Sequence, residues 1–133
     1  MYRSFDAGVN WETLEPIYEG SWFGALYSGL RDTLLVFGLR GNLYRSGDFG
    51  DSWEAVPWGG DVTLAGGTAS RSGGIALAGG VGNVLVSRDG GISFTAAVMP
   101  QRVGLSSALV RDGRLTVVGQ GGVNSRAIED IDE

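Results

Sequence analysis

Tyr44-Arg45-Ser46-Gly47-Asp48-Phe49-Gly50-Asp51-Ser52-Trp53 has two companions in the same chain, Tyr2-Arg3-Ser4-Phe5-Asp6-Ala7-Gly8-Val9-Asn10-Trp11 and Leu85-Val86-Ser87-Arg88-Asp89-Gly90-Gly91-Ile92-Ser93-Phe94. All three read Ser-x-Asp-x-Gly-x-x-aromatic, and their aspartates stand 42 and 41 residues apart. Gly41, Gly82 and Gly122 keep the same step. Self-similarity at a fixed period of this length marks a repeat architecture, in which one supersecondary unit stacks on the next.

Each period reads as four short strands. In the first complete one, strands A (22–28) and B (33–38) flank a polar turn, and strands C (42–45) and D (53–56) flank the repeated box. The second has strands over 62–68, 75–78, 84–86 and 94–98, with glycine-rich turns between them. Four antiparallel strands in ~40 to 45 residues form the blade of a β-propeller. A WD40 repeat is excluded, because the chain has no Gly-His and no Trp-Asp pair. The box resembles the Asp-box, or bacterial neuraminidase repeat, of sialidase-like propellers. With its Gly-x-x-Gly-Asn lead-in, Gly38 to Asn42 and Gly79 to Asn83, it is similar to the photosystem II stability and assembly factor family and that family's non-photosynthetic bacterial relatives. The expected fold is all-β, a partial sialidase-like propeller of about three blades with incomplete ends. Residues 1–16 supply orphan C and D strands, 17–57 and 58–100 one blade each, 101–122 orphan A and B strands (103–110 and 115–119), and 123–133 a tail.

Composition agrees and removes much chemistry. The 133 residues include 24 glycines but only three prolines, and no histidine or cysteine. Helices tolerate so much glycine poorly. Every one of the ten cations is arginine. Ser-His and Cys-His nucleophiles, thiol redox chemistry, Schiff-base lysines and the usual zinc sites are therefore out, and no cofactor is implied. The net charge of −5 argues against a nucleic-acid footprint. No apolar run reaches the ~18 residues of a membrane span, and Met1-Tyr2-Arg3-Ser4 does not open a signal peptide. The compartment is left open; the family resemblance implies an exported protein.

The box residues read as a staple. Asp6, Asp48 and Asp89 are placed to accept loop N–H groups as an Asx turn does. Gly8, Gly50 and Gly91 supply positions where positive φ is cheap. Trp11, Trp53 and Phe94 can cover the loop or pack between blades. Ser4, Ser46 and Ser87 recur with them and are turn residues. A calcium site built on Asp48, Asp51 and Glu54 lacks the Asp-x-Asp-x-Asp-Gly spacing, so no metal is expected. Gly79-Gly80-Val81-Gly82 leads into a strand and not a helix, which makes it a hairpin and not a phosphate loop.

What recurs in every blade serves the blade, so a binding site is sought among residues that appear once. The D-to-A and B-to-C connections emerge on one side, opposite the boxes. Tyr18, Glu19 and Trp22, then Trp58 and Asp61, then Gln101 and Arg102 lie in D-to-A links, and Arg40 lies in a B-to-C turn. Arg40 corresponds to Val81 and Gly121, so the turn does not demand arginine. Tyr18, Trp22, Arg40, Trp58 and Arg102 are the candidate partner-binding residues; packing between blades is the competing role of Trp22 and Trp58.

Three blades are too few for a closed ring of four to eight. Either the chain is part of a longer propeller, or the orphan C and D strands of one copy complete the orphan A and B strands of another, so that a dimer closes six blades. The acidic stretch Glu129-Asp130-Ile131-Asp132-Glu133 occupies the register of the next box without its residues. Family resemblance implies a non-enzymatic propeller that holds a protein client as a binding or assembly scaffold. The alternatives are a structural or engineered fragment without a ligand, or a fragment of a sialidase-type glycosidase, for which Tyr27 has no evident glutamate partner.

Overall fold

The computed structural model describes residues 1–128. Among the described residues, thirteen short strands form four antiparallel sheets, one after another. An N-terminal hairpin pairs β1 (Tyr2–Arg3) with β2 (Glu12–Thr13). The first blade contains β3 (Trp22–Ser28), β4 (Thr33–Gly38), β5 (Leu43–Ser46) and β6 (Glu54–Ala55). The second contains β7 (Leu64–Ala69), β8 (Ile75–Gly79), β9 (Asn83–Ser87) and β10 (Thr95–Val98). The third contains β11 (Leu105–Arg111), β12 (Arg114–Gly119) and β13 (Gly122–Ala127). Each sheet is a meander whose strands follow sequence order. No helix among the described residues is long and apolar enough to cross a membrane.

The end of the chain departs from the sequence reading. Residues 123–127 belong to a strand and not to a tail: β13 pairs along the whole of β12, from Gly119 opposite Gly122 to Arg114 opposite Ala127. Without a box, the segment still satisfies its backbone by completing the sheet. The third blade thus has its C strand already. That strand fills the edge of β12 where a partner's β1 would have to add, so the expected exchange of C and D strands between two copies has no vacant place there. The acidic stretch from Glu129 to Glu133 lies outside the described residues.

The core lies between blades. Alternate residues of a strand face opposite sides of its sheet, and each blade uses both. Leu35, Phe37, Leu43 and Val56 of the first blade pack on Leu64, Ile75, Leu77 and Leu85 of the second. Ala76, Ala78, Val84 and Val86, on the far face of the second, pack on Leu105, Ala108, Leu115 and Val117 of the third. Two backbone devices recur with the repeat. Each A strand carries a bulge, with Phe23, Ala65 or Ser106 as its extra residue. Each B strand ends in a glycine, Gly38, Gly79 or Gly119, where a Cβ would sit 2.1 to 2.2 Å from the carbonyl of Ser21, Thr63 or Gly104. No other residue fits where the start of strand A approaches so closely.

The box is a short hydrogen-bonded circuit, the same three times over. The serine hydroxyl donates to the aspartate Oδ1, at 2.8 Å for Ser4, 2.7 Å for Ser46 and 2.8 Å for Ser87. The serine Oγ itself accepts the glycine N–H of Gly8, Gly50 or Gly91 at 2.8 to 2.9 Å. The aspartate in turn accepts the backbone N–H and side chain of Asn10, Ser52 or Ser93. Gly8, Gly50 and Gly91 all stand at positive φ, between 90° and 96°.

These bonds favour the carboxylate over the acid. The Ser52 hydroxyl, the Ser52 N–H and the Ser46 hydroxyl hold Asp48 at about 2. For Asp89 partial burial is the largest influence and pushes upward, yet the combined bonds from Ser93, Ser87 and Ile92 still bring it to about 2. Asp6 is lowered too, chiefly by Asn10.

Ser46 and Ser87 are buried, whereas the first box is open to water. Ser87→Ala should therefore cost about 1 to 3 kcal/mol in denaturant unfolding, because it leaves the Gly91 N–H without an acceptor, and Ser4→Ala about 0.5 kcal/mol or less. Aspartates depressed in the folded state stabilise it above their unfolded pKa of 3.8 and lose that contribution as pH falls through about 2. The melting temperature should accordingly fall most steeply between about pH 4 and 2, and Asp48→Asn should flatten that descent.

Candidate functional site

The D-to-A links do run beside the B-to-C turns. The Trp58 indole N–H donates to the Gly41 carbonyl at 2.9 Å, and the Met99 N–H donates to the Gly82 carbonyl at 2.8 Å. Each of these two turns is a single 3-10 turn with a left-handed residue at its tip, Arg40 at φ 59° and Val81 at φ 55°. Arg102 is also left-handed, at φ 51°, and its backbone packs against Gly82. Arg40 and Arg102 are exposed. They stand in separate turns on the same side of successive blades.

Trp58 is committed to the fold. Its indole ties the first blade's turn to the link that leads into the second, and its ring is partly buried against the core between the two. Tyr18 and Trp22 come together edge to face, with ring centroids 4.7 Å apart, and Tyr44 joins them at 5.8 Å from Trp22. Such T-shaped pairs add to simple burial. Tyr18 is fixed further by donating its hydroxyl to the Ser21 carbonyl at 3.0 Å. The bulge at Phe23 brings Trp22 to the same side of the sheet as Val36 and Tyr44. One and two repeats later the position of Trp22 is held by Leu64 and Leu105, which are 0% and 5% exposed in the cores between blades. The Tyr18 and Trp22 pair therefore belongs to a blade face and is separate from the arginine tips.

The three carboxylates weighed as a cation site do not converge. Asp48 is engaged within its box, Asp51 pairs with Arg3 at 2.7 Å, and Glu54 pairs with Arg45 at 3.0 Å. Tyr27 does have a carboxylate partner, Asp32, to whose Oδ1 it donates at 2.7 Å. That bond and the nearby negative charge raise the phenol's pKa.

The arginine before each of the first two box serines has a part that spacing alone did not reveal. Arg3 donates to the Phe49 carbonyl at 2.8 Å, and Arg45 to the Ile92 carbonyl at 2.8 Å. Each also pairs with a glutamate across its own hairpin, Arg3 with Glu12 and Arg45 with Glu54. Arg31 adds a bond to the Asp89 carbonyl at 3.0 Å. Neighbouring boxes are thus stitched together by the blade before them. The recurrence of Tyr-Arg-Ser at 2–4 and 44–46 was the signal available in the sequence.

No family model matches the chain, and no curated protein matches it either. Solved structures do. An ancestral GH74 enzyme superposes with a TM-score of 0.77 at 18% identity, covering 93% of this chain and 19% of that one. YCF48 bound to D1 peptide superposes with a TM-score of 0.65 at 15% identity, covering 80% of this chain and 38% of that one. The chain spans about a fifth and two fifths of their respective lengths. With its consecutive antiparallel blades packed face to face, it has the fold of a partial β-propeller, similar in that respect to both of these structures.

Proposed function

We propose that this chain is a non-enzymatic, protein-binding propeller module of the assembly-scaffold kind, and that Arg40 and Arg102 grip its partner. The observation that carries this reading is that both arginines stand exposed in turns that other blades build without arginine. The left-handed backbone of Arg40 is a feature of its turn, shared by Val81 one repeat on. A guanidinium fork suits carboxylate or backbone carbonyl groups of a protein partner. YCF48, a propeller of similar fold, has been solved with a bound D1 peptide.

Arg40→Gly should stabilise the fold by about 1 kcal/mol while weakening partner binding. Peptides selected on the wild-type chain from a display library should lose about tenfold in affinity for the Arg40→Gly/Arg102→Gly double variant. Peptides that bind both proteins equally would remove the arginines from the site. Purified chain should leave sialosides and aryl glycosides intact; turnover that vanishes in Tyr27→Phe would replace the scaffold reading with an enzymatic one.

A further inference from the structure

The three boxes differ in kind at one position. The residue between serine and aspartate is Phe5 in the first, Gly47 in the second and Arg88 in the third. Gly47 is exposed and does not stand at positive φ, and a Cβ placed on it would meet nothing within 4 Å. The backbone therefore does not call for glycine there. Beside it, between the first and second blades, lies a cleft of about 460 Å³ lined by Arg31, Thr33, Arg45, Trp53, Glu54 and Ile92, within the range of small-molecule sites. All of these residues belong to the two four-stranded blades, and neither end of the chain borders the cleft.

One repeat earlier the same corner holds a ring. Arg3, Phe5, Trp11 and Glu12 stand where Arg45, Gly47, Trp53 and Glu54 stand here, and the space left beside them is about 150 Å³. The Arg3 guanidinium lies over the Phe5 ring, 4.9 Å from its centre, and the Phe49 ring is 5.1 Å from the same centre. Each arginine also pairs with its glutamate, Arg3 with Glu12 and Arg45 with Glu54. The second corner thus repeats the first without its ring. One repeat later Val86 and Thr95 take the places of the arginine and the glutamate, so the corner is not built again.

Arg31 adds a group that the preceding corner lacks. Its Nε–H donates to the Asp89 carbonyl at 3.0 Å, and among the described residues its two terminal amino groups have no partner. Arg45 is offset by Glu54, whereas Arg31 has no ion-pair partner among the described residues. The cleft therefore offers an aromatic-sized space against one guanidinium and unspent donors on another.

We propose that this cleft binds a small aromatic carboxylate. The ring takes the place that Phe5 takes one repeat earlier, against Arg45 and Trp53, where cation–π attraction favours it. The carboxylate accepts from the terminal amino groups of Arg31, whose planar fork matches two oxygens. Gly47 keeps the place open. The cleft lies on the box side of the blades and Arg40 and Arg102 on the other, so the two readings fail independently.

The test titrates benzoate, phenylacetate and 3-phenylpropanoate, which set the carboxylate at three distances from the ring, into the whole purified chain and follows them by isothermal titration calorimetry. At least one should saturate at one molecule per chain with a Kd of about 1 mM or tighter. Its amide should bind about tenfold or more weakly, because the charge-assisted bonds are lost. Gly47→Phe, which copies the first box, should abolish binding with the circular dichroism spectrum and the cooperative melt retained. Arg31→Gln, which leaves the cleft open, should weaken binding of the acid about tenfold and change that of the amide little. Absence of saturation with all three acids, equal binding of acid and amide, or undiminished binding in either variant would overturn the proposal.

Discussion

A propeller blade has two apolar faces and can bury neither of them alone. That constraint organises the rest of this structure. Leu35 and Phe37 point one way from β4 and are buried against the second blade, while Leu34 and Val36 point the other way, toward the N-terminal hairpin. At roughly 25 cal/mol per Å² of apolar surface, stacking is the dominant source of stability, and each interface depends on its neighbours as in other repeat proteins. The two interfaces present differ in packing: large side chains of the first blade meet large ones of the second, whereas the small Ala76 and Ala78 meet Leu105, Leu115 and Val117 of the third.

Stacking brings loops together as well as faces, and the loops carry most of the polar chemistry. The Ser-Asp circuit holds each C-to-D connection in one shape through bonds that span two to four residues. With the loop shaped in this way, its carbonyls become acceptors for arginines of the blade before it. Local bonds fix each box, and long-range bonds then fix the rotation between blades.

That opposite side illustrates how function and repetition separate. Trp58 looked like a binding residue because it occurs once, yet it fastens a turn to a link. Tyr18 and Trp22 also occur once, and they sit on a blade face whose counterparts are core. Arg40 and Arg102 alone among the five occupy exposed, left-handed tips. Uniqueness in a repeat is therefore an insufficient mark of a site, because a residue that occurs once can still serve the packing.

The sequence by itself determined the repeat, the strand order and the box. Strands were legible at 22–28 and 33–38 because alternation of side chains is a local property. The roles of Ser46, Asp48, Gly50 and Trp53 were legible because their bonds and contacts close within a few residues. Tertiary structure alone decided that 122–127 form a strand, since that segment has no box and is held by pairing with β12. It alone decided which face Trp22 occupies, because a single extra residue in β3 reverses the alternation. It alone gave Arg3, Arg31 and Arg45 their partners, 46 to 58 residues away. Interactions within one turn are written in neighbouring letters, whereas those between blades exist only once the faces have met.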